Sequence, residues 1–123
     1  MSGNSLFVDT NILIYFLQGD QDIIEMISDK DLVISFVTEL ELLSLNQESQ
    51  EAEQIIHGIL QNCFIIDPNQ SIKDVTVELR RKYKLKLPDS IIASTSYYYN
   101  IPLLTADKQF KNVEELELIF YRL

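Results

Sequence analysis

Leu6-Phe7-Val8-Asp9-Thr10-Asn11-Ile12-Leu13-Ile14-Tyr15 is the stretch on which the reading of the fold turns. Its first three residues read as a short buried strand, and a carboxylate stands where that run stops. Ile12, Leu13, Tyr15, Phe16 and Leu17 then continue as an apolar helix that Thr10 or Asn11 can cap. In open α/β proteins ligands bind outside the carboxyl ends of the strands, so an acid at that point is a candidate for chemistry.

The same alternation of short apolar runs and helical stretches continues along the chain. A second helical stretch over residues 20–28 is followed by a strand at Leu32-Val33-Ile34-Ser35. Phe36 to Leu45 reads as a helix with apolar positions at Phe36, Val37, Leu40 and Leu43, and Glu48 to Gln61 as another. Cys63 to Ile66 is a third strand and Ser71 to Tyr83 an amphipathic helix. Pro88 suits the first turn of a helix running from Asp89 to Tyr99. Ile101 to Thr105 is a fourth strand, and Leu116 to Tyr121 a candidate edge strand.

Strands separated by helices imply right-handed βαβ crossovers and a mostly parallel sheet covered on both faces. The expected architecture is α/β: a three-layer α/β/α sandwich with a four- to five-stranded, mostly parallel sheet. Residues 1–123 are expected to form a single domain, since 123 residues suffice for one core but not for two. A hydrophobic share of 46% and mixed charge exclude a disordered chain. No apolar run approaches the roughly 20 residues of a membrane span, and no signal pattern opens the chain. Cys63 is the single cysteine, which excludes an intrachain disulfide; the expected compartment is the cytoplasm.

The net charge is −9, but it is unevenly placed. Up to Pro68 there are 12 acidic residues and one basic residue, a net of −11; from Asn69 onward 7 acidic and 9 basic residues give +2. Arg80, Arg81, Lys82, Lys84 and Lys86 supply half of the ten basic residues. They have two readings, an RNA-backbone contact or cations favoured by a helix C-terminus.

Several acids share the sheet's expected carboxyl edge. Asp9 ends the first strand, and Asp107 lies two residues beyond the fourth. Asp89 stands in the first turn of its helix, where the dipole favours a carboxylate, on one face with Ile92, Ala93 and Ser96. The helix after the second strand carries Glu39 and Glu41, about 200° apart around the axis, so only one can face a given point. Periodicity does not choose between them. Taken singly, each acid has an ordinary explanation as a turn, a cap or a solvated flank residue. Taken jointly, converging carboxylates must bind protons or hold a cation. Oxygen ligands without a Cys or His cluster select Mg²⁺ or Mn²⁺, ions suited to phosphodiester hydrolysis.

With these residues in view, the chain resembles the PIN domain family, in particular the VapC-type toxins of toxin–antitoxin modules. The resemblance runs from about Leu6 to Ile119. It is carried by Val8-Asp9-Thr10-Asn11-Ile12-Leu13, Ser35-Phe36-Val37-Thr38-Glu39-Leu40-Glu41-Leu42, Leu87-Pro88-Asp89-Ser90-Ile91-Ile92-Ala93, and Leu104-Thr105-Ala106-Asp107 with Phe110. It implies that Glu41 rather than Glu39 is the functional acid, six residues after Ser35 and directly before Leu42. It further implies a metal site of Asp9, Glu41, Asp89 and Asp107, supported by Asn11 and Thr105. The activity implied is Mg²⁺- or Mn²⁺-dependent cleavage of RNA by metal-activated water, in a homodimeric toxin held by a small antitoxin protein. Gln109 departs from the pattern, since many members carry another Asp there; Ser94 and Ser96 replace common alanines.

Two other functions compete. One is a PIN-fold binding or scaffold module that cuts nothing. The other is a receiver-like domain accepting phosphate on Asp, disfavoured because no Lys closely follows the last strand. His57 is expected on an exposed helix face, Cys63 as a buried small hydrophobe, and Tyr97, Tyr98 and Tyr99 divided between core and surface.

Overall fold

A computed structural model of the chain describes residues 3–46 and 49–123. The strands are β1 (Ser5–Val8), β2 (Asp31–Ser35), β3 (Phe64–Ile66), β4 (Leu103–Thr105) and β5 (Leu118–Phe120). The helices are α1 (Thr10–Leu17), α2 (Gln21–Ile27), α3 (Phe36–Leu43), α4 (Gln50–Gln61), α5 (Gln70–Tyr83) and α6 (Leu87–Tyr99), with a 3₁₀ turn at Lys108–Asn112. The expected start of α4 at Glu48 lies outside the described residues; Ser49 caps the helix through its side chain.

The five strands form one sheet in the order β3-β2-β1-β4-β5, and every pairing is parallel. The expected α/β/α sandwich is therefore observed, with the edge strand β5 included and parallel. Side chains alternate across the pleat and build a core on each face. Phe7, Val33 and Leu103 pack with Ile72, Leu79 and Ile92 of α5 and α6. Val8, Ile34 and Leu104 pack with Ile12, Ile23 and Ile56 of α1, α2 and α4. The chain steps outward from β1 to β2 and β3, then returns to the other side of β1 for β4 and β5. That reversal opens a crevice at the carboxyl ends of β1 and β4, the topological switch point where such sheets bind ligands.

Local sequence explains most boundaries. Asp20, Ser35 and Asn69 cap α2, α3 and α5 by accepting from backbone amides. For α1 the cap is Asp9 rather than Thr10 or Asn11, with its carboxylate accepting from the Ile12 amide. An aspartate satisfies an orphan amide and also meets the positive end of the helix dipole. Asn100 ends α6 in the left-handed region at φ 55°, which a short polar side chain tolerates. The Tyr121 hydroxyl donates to the Asp20 carboxylate at 3.0 Å and fastens the segment after β5 to the start of α2.

Helix α3 departs from the expected stripe. Its buried residues are Thr38 and Leu42, while Leu40 and Leu43 are 55% and 42% exposed. Leu42 reaches the core beside α1, and this turns Leu40, Glu41 and Leu43 outward. Tyr97, Tyr98 and Tyr99 are all exposed rather than divided, because the core face of α6 is supplied by Ile92, Ala93 and Ser96. His57 is exposed as expected, and Cys63 is half-buried. Among the described residues no helix is long and apolar enough to cross a membrane.

Candidate active site

At the switch point lies a cavity of about 430 Å³ lined by Asp9, Asn11, Glu41, Asp89 and Asp107, with Ile14, Leu40 and Ile92 among its apolar walls. Each acid arrives on a different element. The register that pairs Val8 with Leu104 sets Asp9 beside Thr105, although the two are far apart in sequence. Asp9 is 5% exposed. One oxygen caps α1 at 3.0 Å from the Ile12 amide, and the other accepts from the Thr105 hydroxyl.

Thr105 is fully buried and works in both directions. Its hydroxyl donates to Asp9 and accepts from the Asp107 amide at 3.0 Å, so one oxygen sets the spacing of two acids. Asp107 in turn caps the 3₁₀ turn, accepting from the Gln109 amide at 2.9 Å. Asp89 enters from the first turn of α6, which begins with Pro88 near its start.

Of the two glutamates on α3, Glu41 lines the cavity and Glu39 does not. Glu41 is held by Thr10, whose hydroxyl donates to its Oε1 at 2.6 Å and lies 3.1 Å from the Thr38 hydroxyl. The pairing of Thr10 with Glu41 is not among the sequence-based expectations. The available signal was small: a hydroxyl directly after Asp9, and another one helical turn before Glu41.

Electrostatics ties the four acids together. Burial pushes the Asp9 carboxyl above its ordinary range; the Thr105 and Ile12 hydrogen bonds oppose this, and the charges of Asp107 and Asp89 add to it. Burial also raises Asp89, followed by the charges of Asp107 and Glu41, with Lys86 pulling the other way. Each acid is thus within electrostatic reach of others in the set. They surround the cavity rather than meet at a point: among the described residues no three His, Cys, Asp or Glu side chains are gathered closely enough to hold one ion. Glu41 is tethered to Thr10, and Asp107 to its own turn.

None of Arg80, Arg81, Lys82, Lys84 and Lys86 lines the cavity. Lys82 pairs with Glu115 at 3.3 Å, Arg80 reaches the Leu85 carbonyl at 3.4 Å, and Lys86 is the member that acts on Asp89. Asn11 is exposed at the cavity rim.

The chain is similar to known proteins over most of its length. The family model described as PIN domain matches residues 6–116. The protein named Ribonuclease VapC2 of Methanocaldococcus jannaschii is 28% identical, the alignment covering 97% of this chain and 95% of that one. Among solved structures, a toxin–antitoxin complex from Klebsiella pneumoniae matches with a TM-score of 0.84 at 30% identity, covering 96% of this chain and 99% of that one. VapBC2 from Rickettsia felis, bound to a DNA fragment from their promoter, matches with a TM-score of 0.83 at 21% identity, over 95% of this chain and 98% of that one, and shares the fold.

Proposed function

The chain belongs to the PIN domain family, and from that premise we propose that it is a metal-dependent endoribonuclease, the VapC-type toxin of a toxin–antitoxin pair. The observation that carries the proposal is the cavity at the switch point with Asp9, Glu41, Asp89 and Asp107 on its walls, two of them raised by burial and by the other acids' charges. By donor chemistry carboxylate oxygens suit a hard divalent cation, Mg²⁺ or Mn²⁺, whose charge would offset that repulsion, while the acids stand around the cavity with no three within reach of one point among the described residues. Such an ion, when bound, supplies a Lewis acid for the phosphate and a water of lowered pKa.

The chain's own residues have distinct parts in this reading. Asp9 and Asp89, the two acids with raised carboxyls, would hold the cation together with Glu41 and Asp107 of the same cavity wall. Thr105 orients Asp9, and Thr10 keeps Glu41 at the cavity wall. Asn11 offers its amide to a phosphate oxygen at the rim, and Lys86 adds positive charge beside Asp89. The antitoxin in this reading is a small protein with basic and apolar contacts, matched to the acidic first half of the chain and to exposed Leu40, Leu43 and Leu45. A homodimer belongs to the same proposal, supported by the apolar groove that exposed Val77 and Leu87 flank between α5 and α6. Residues 1–123 act as one domain in this reading.

A second reading, a PIN-fold binding module without catalysis, has two observations in its favour: the acids are spread rather than clustered, and Gln109 replaces an acid. Incubation of the purified chain with total cellular RNA decides between them. The ribonuclease reading expects discrete cleavage with Mg²⁺, none with excess chelator, and none from Asp89→Asn. Intact RNA under all three conditions supports the binding module.

A further inference from the structure

The chain carries −9 overall and concentrates acids at its cavity, so an RNA strand approaching that cavity meets repulsion unless cations stand on its path. The expected source of those cations was the segment from Arg80 to Lys86, yet Lys82 is paired with Glu115 and none of the five lines the cavity. Of that segment Lys86 alone acts on an acid of the cavity, Asp89, and a second cationic surface stands beside the segment after β4. Lys108, Lys111 and Arg122 line a separate concavity of about 510 Å³ with Ala106, Phe120, Tyr121 and Leu123, and no Asp or Glu side chain lines it among the described residues.

All three cations are exposed, and none lies within ion-pair distance of a described carboxylate. Lys111 sits 3.9 Å from the centroid of the Phe120 ring, a cation–π contact that holds its charge at the wall of the concavity. The Tyr121 hydroxyl donates to the Asp20 carboxylate at 3.0 Å, and the charges of Asp20 and Asp22 act on Tyr121, so these two acids adjoin the concavity without lining it.

The location links this surface to the acidic cavity. The Tyr121 amide donates to the Thr105 carbonyl at 2.8 Å, and the Thr105 hydroxyl is the one that holds Asp9. Ala106 lines the cationic concavity and Asp107, the next residue, lines the acidic one. The two lie side by side on the carboxyl edge of the sheet, with the segment after β4 between them. We propose that Lys108, Lys111 and Arg122 form the binding track for single-stranded RNA, receiving the backbone phosphates on the β5 side of the bond presented to the acids. The proposal rests on the ribonuclease reading for its choice of ligand.

Fluorescence anisotropy with a labelled single-stranded oligoribonucleotide tests it, in an Asp89→Asn background with Mg²⁺ so that the probe is not cut. Each phosphate contact contributes about 0.7 to the slope of log affinity against log salt for a single strand. The variant Lys108→Gln/Lys111→Gln/Arg122→Gln is expected to lose about 2 from that slope, with unchanged circular dichroism because all three side chains are exposed. Arg80→Gln/Arg81→Gln/Lys84→Gln removes the same charge elsewhere and is expected to change the slope by less than half as much. Equal losses in both variants, or a larger loss in the second, overturn the proposal, as does a first variant with the parent slope. Cleavage of total RNA by the otherwise unaltered chain reports on the ribonuclease reading separately. Cleavage with an unchanged slope discards only the track, whereas a slope loss without cleavage keeps the track and discards the nuclease. Absence of both cleavage and RNA binding overturns both.

Discussion

The Thr105 hydroxyl donates to the carboxylate of Asp9, 96 residues earlier in the chain, while accepting from the backbone amide of Asp107. One buried oxygen therefore joins the ends of β1 and β4 and fixes how two acids face the same cavity. Thr105→Val keeps the shape and removes the hydroxyl, leaving Asp9 with one fewer donor and the Asp107 amide without its acceptor. Loss of a buried hydrogen bond to a charged group costs about 1.5–3 kcal/mol. Urea denaturation of Thr105→Val at neutral pH is expected to show a loss in that range, with Thr105→Ser closer to the parent. Equal stability of Thr105→Val and the parent contradicts the assigned role.

Asp9 has two roles that substitutions can separate. Its burial raises the carboxyl above the ordinary value of 3.8, so folding binds protons there. For a carboxyl shifted upward, the ionised form is disfavoured in the fold: stability is highest below the unfolded pKa and is lost as pH rises through the folded pKa. Asp9→Asn removes that pH-dependent cost and keeps the cap on Ile12 but gives up the bond from Thr105, so without divalent ions its stability relative to the parent is expected to rise between pH 4 and pH 7. Asp9→Ala loses the cap and is expected to fall below Asp9→Asn by about 1 kcal/mol. Thermal unfolding in chelator at pH 7 and pH 4 checks both statements.

The raised carboxyls of Asp9 and Asp89 also set how cation binding depends on pH. A carboxylate must be ionised to ligate, so protons compete with the metal. Because both groups hold protons above the usual carboxylate range, Mn²⁺ affinity is expected to begin falling at a higher pH than for an unperturbed pair. Titrations from pH 8 downward read this directly, and an affinity flat down to pH 4 runs against it.

Glu41 and Glu39 provide an internal comparison on one helix. Glu41→Gln removes an acid from the cavity wall and is expected to lower RNA cleavage by 100-fold or more, on the order of what fixed electrostatic groups contribute at reacting centres. Glu39→Gln, outside the cavity, is expected to stay within about 2-fold of the parent. Equal effects of the two substitutions contradict the assignment of Glu41.

Much of the architecture was legible before the structure. The β-branched and apolar runs of Leu6 to Val8 and Leu32 to Ile34 carry local signals, and alternation of strands with helices leaves few topologies, whereas the caps at Asp20 and Asn69 came only with the structure. Asp9 was legible as a strand-end acid because its position depends only on where β1 stops. Helix α3 was not legible. Its apolar residues outnumber those it can bury, so Leu40 and Leu43 were read as core and the smaller Thr38 was not. The pairing of Thr105 with Asp9, and of Thr10 with Glu41, depends on sheet register and on the approach of α1 to α3, which no local pattern encodes. The cations at Lys108, Lys111 and Arg122 are dispersed in sequence and gather only when β5 pairs with β4, whereas the five between Arg80 and Lys86 lie close together along the chain.

The most direct test of the account is calorimetric titration of Mn²⁺ into the parent chain and into Asp9→Asn. A saturable binding event is expected in the parent, lost or weakened at least tenfold in Asp9→Asn and likewise in Asp89→Asn. No binding in the parent, or binding that survives both substitutions unchanged, contradicts the claim that these acids at the carboxyl edge of the sheet form a divalent-cation site.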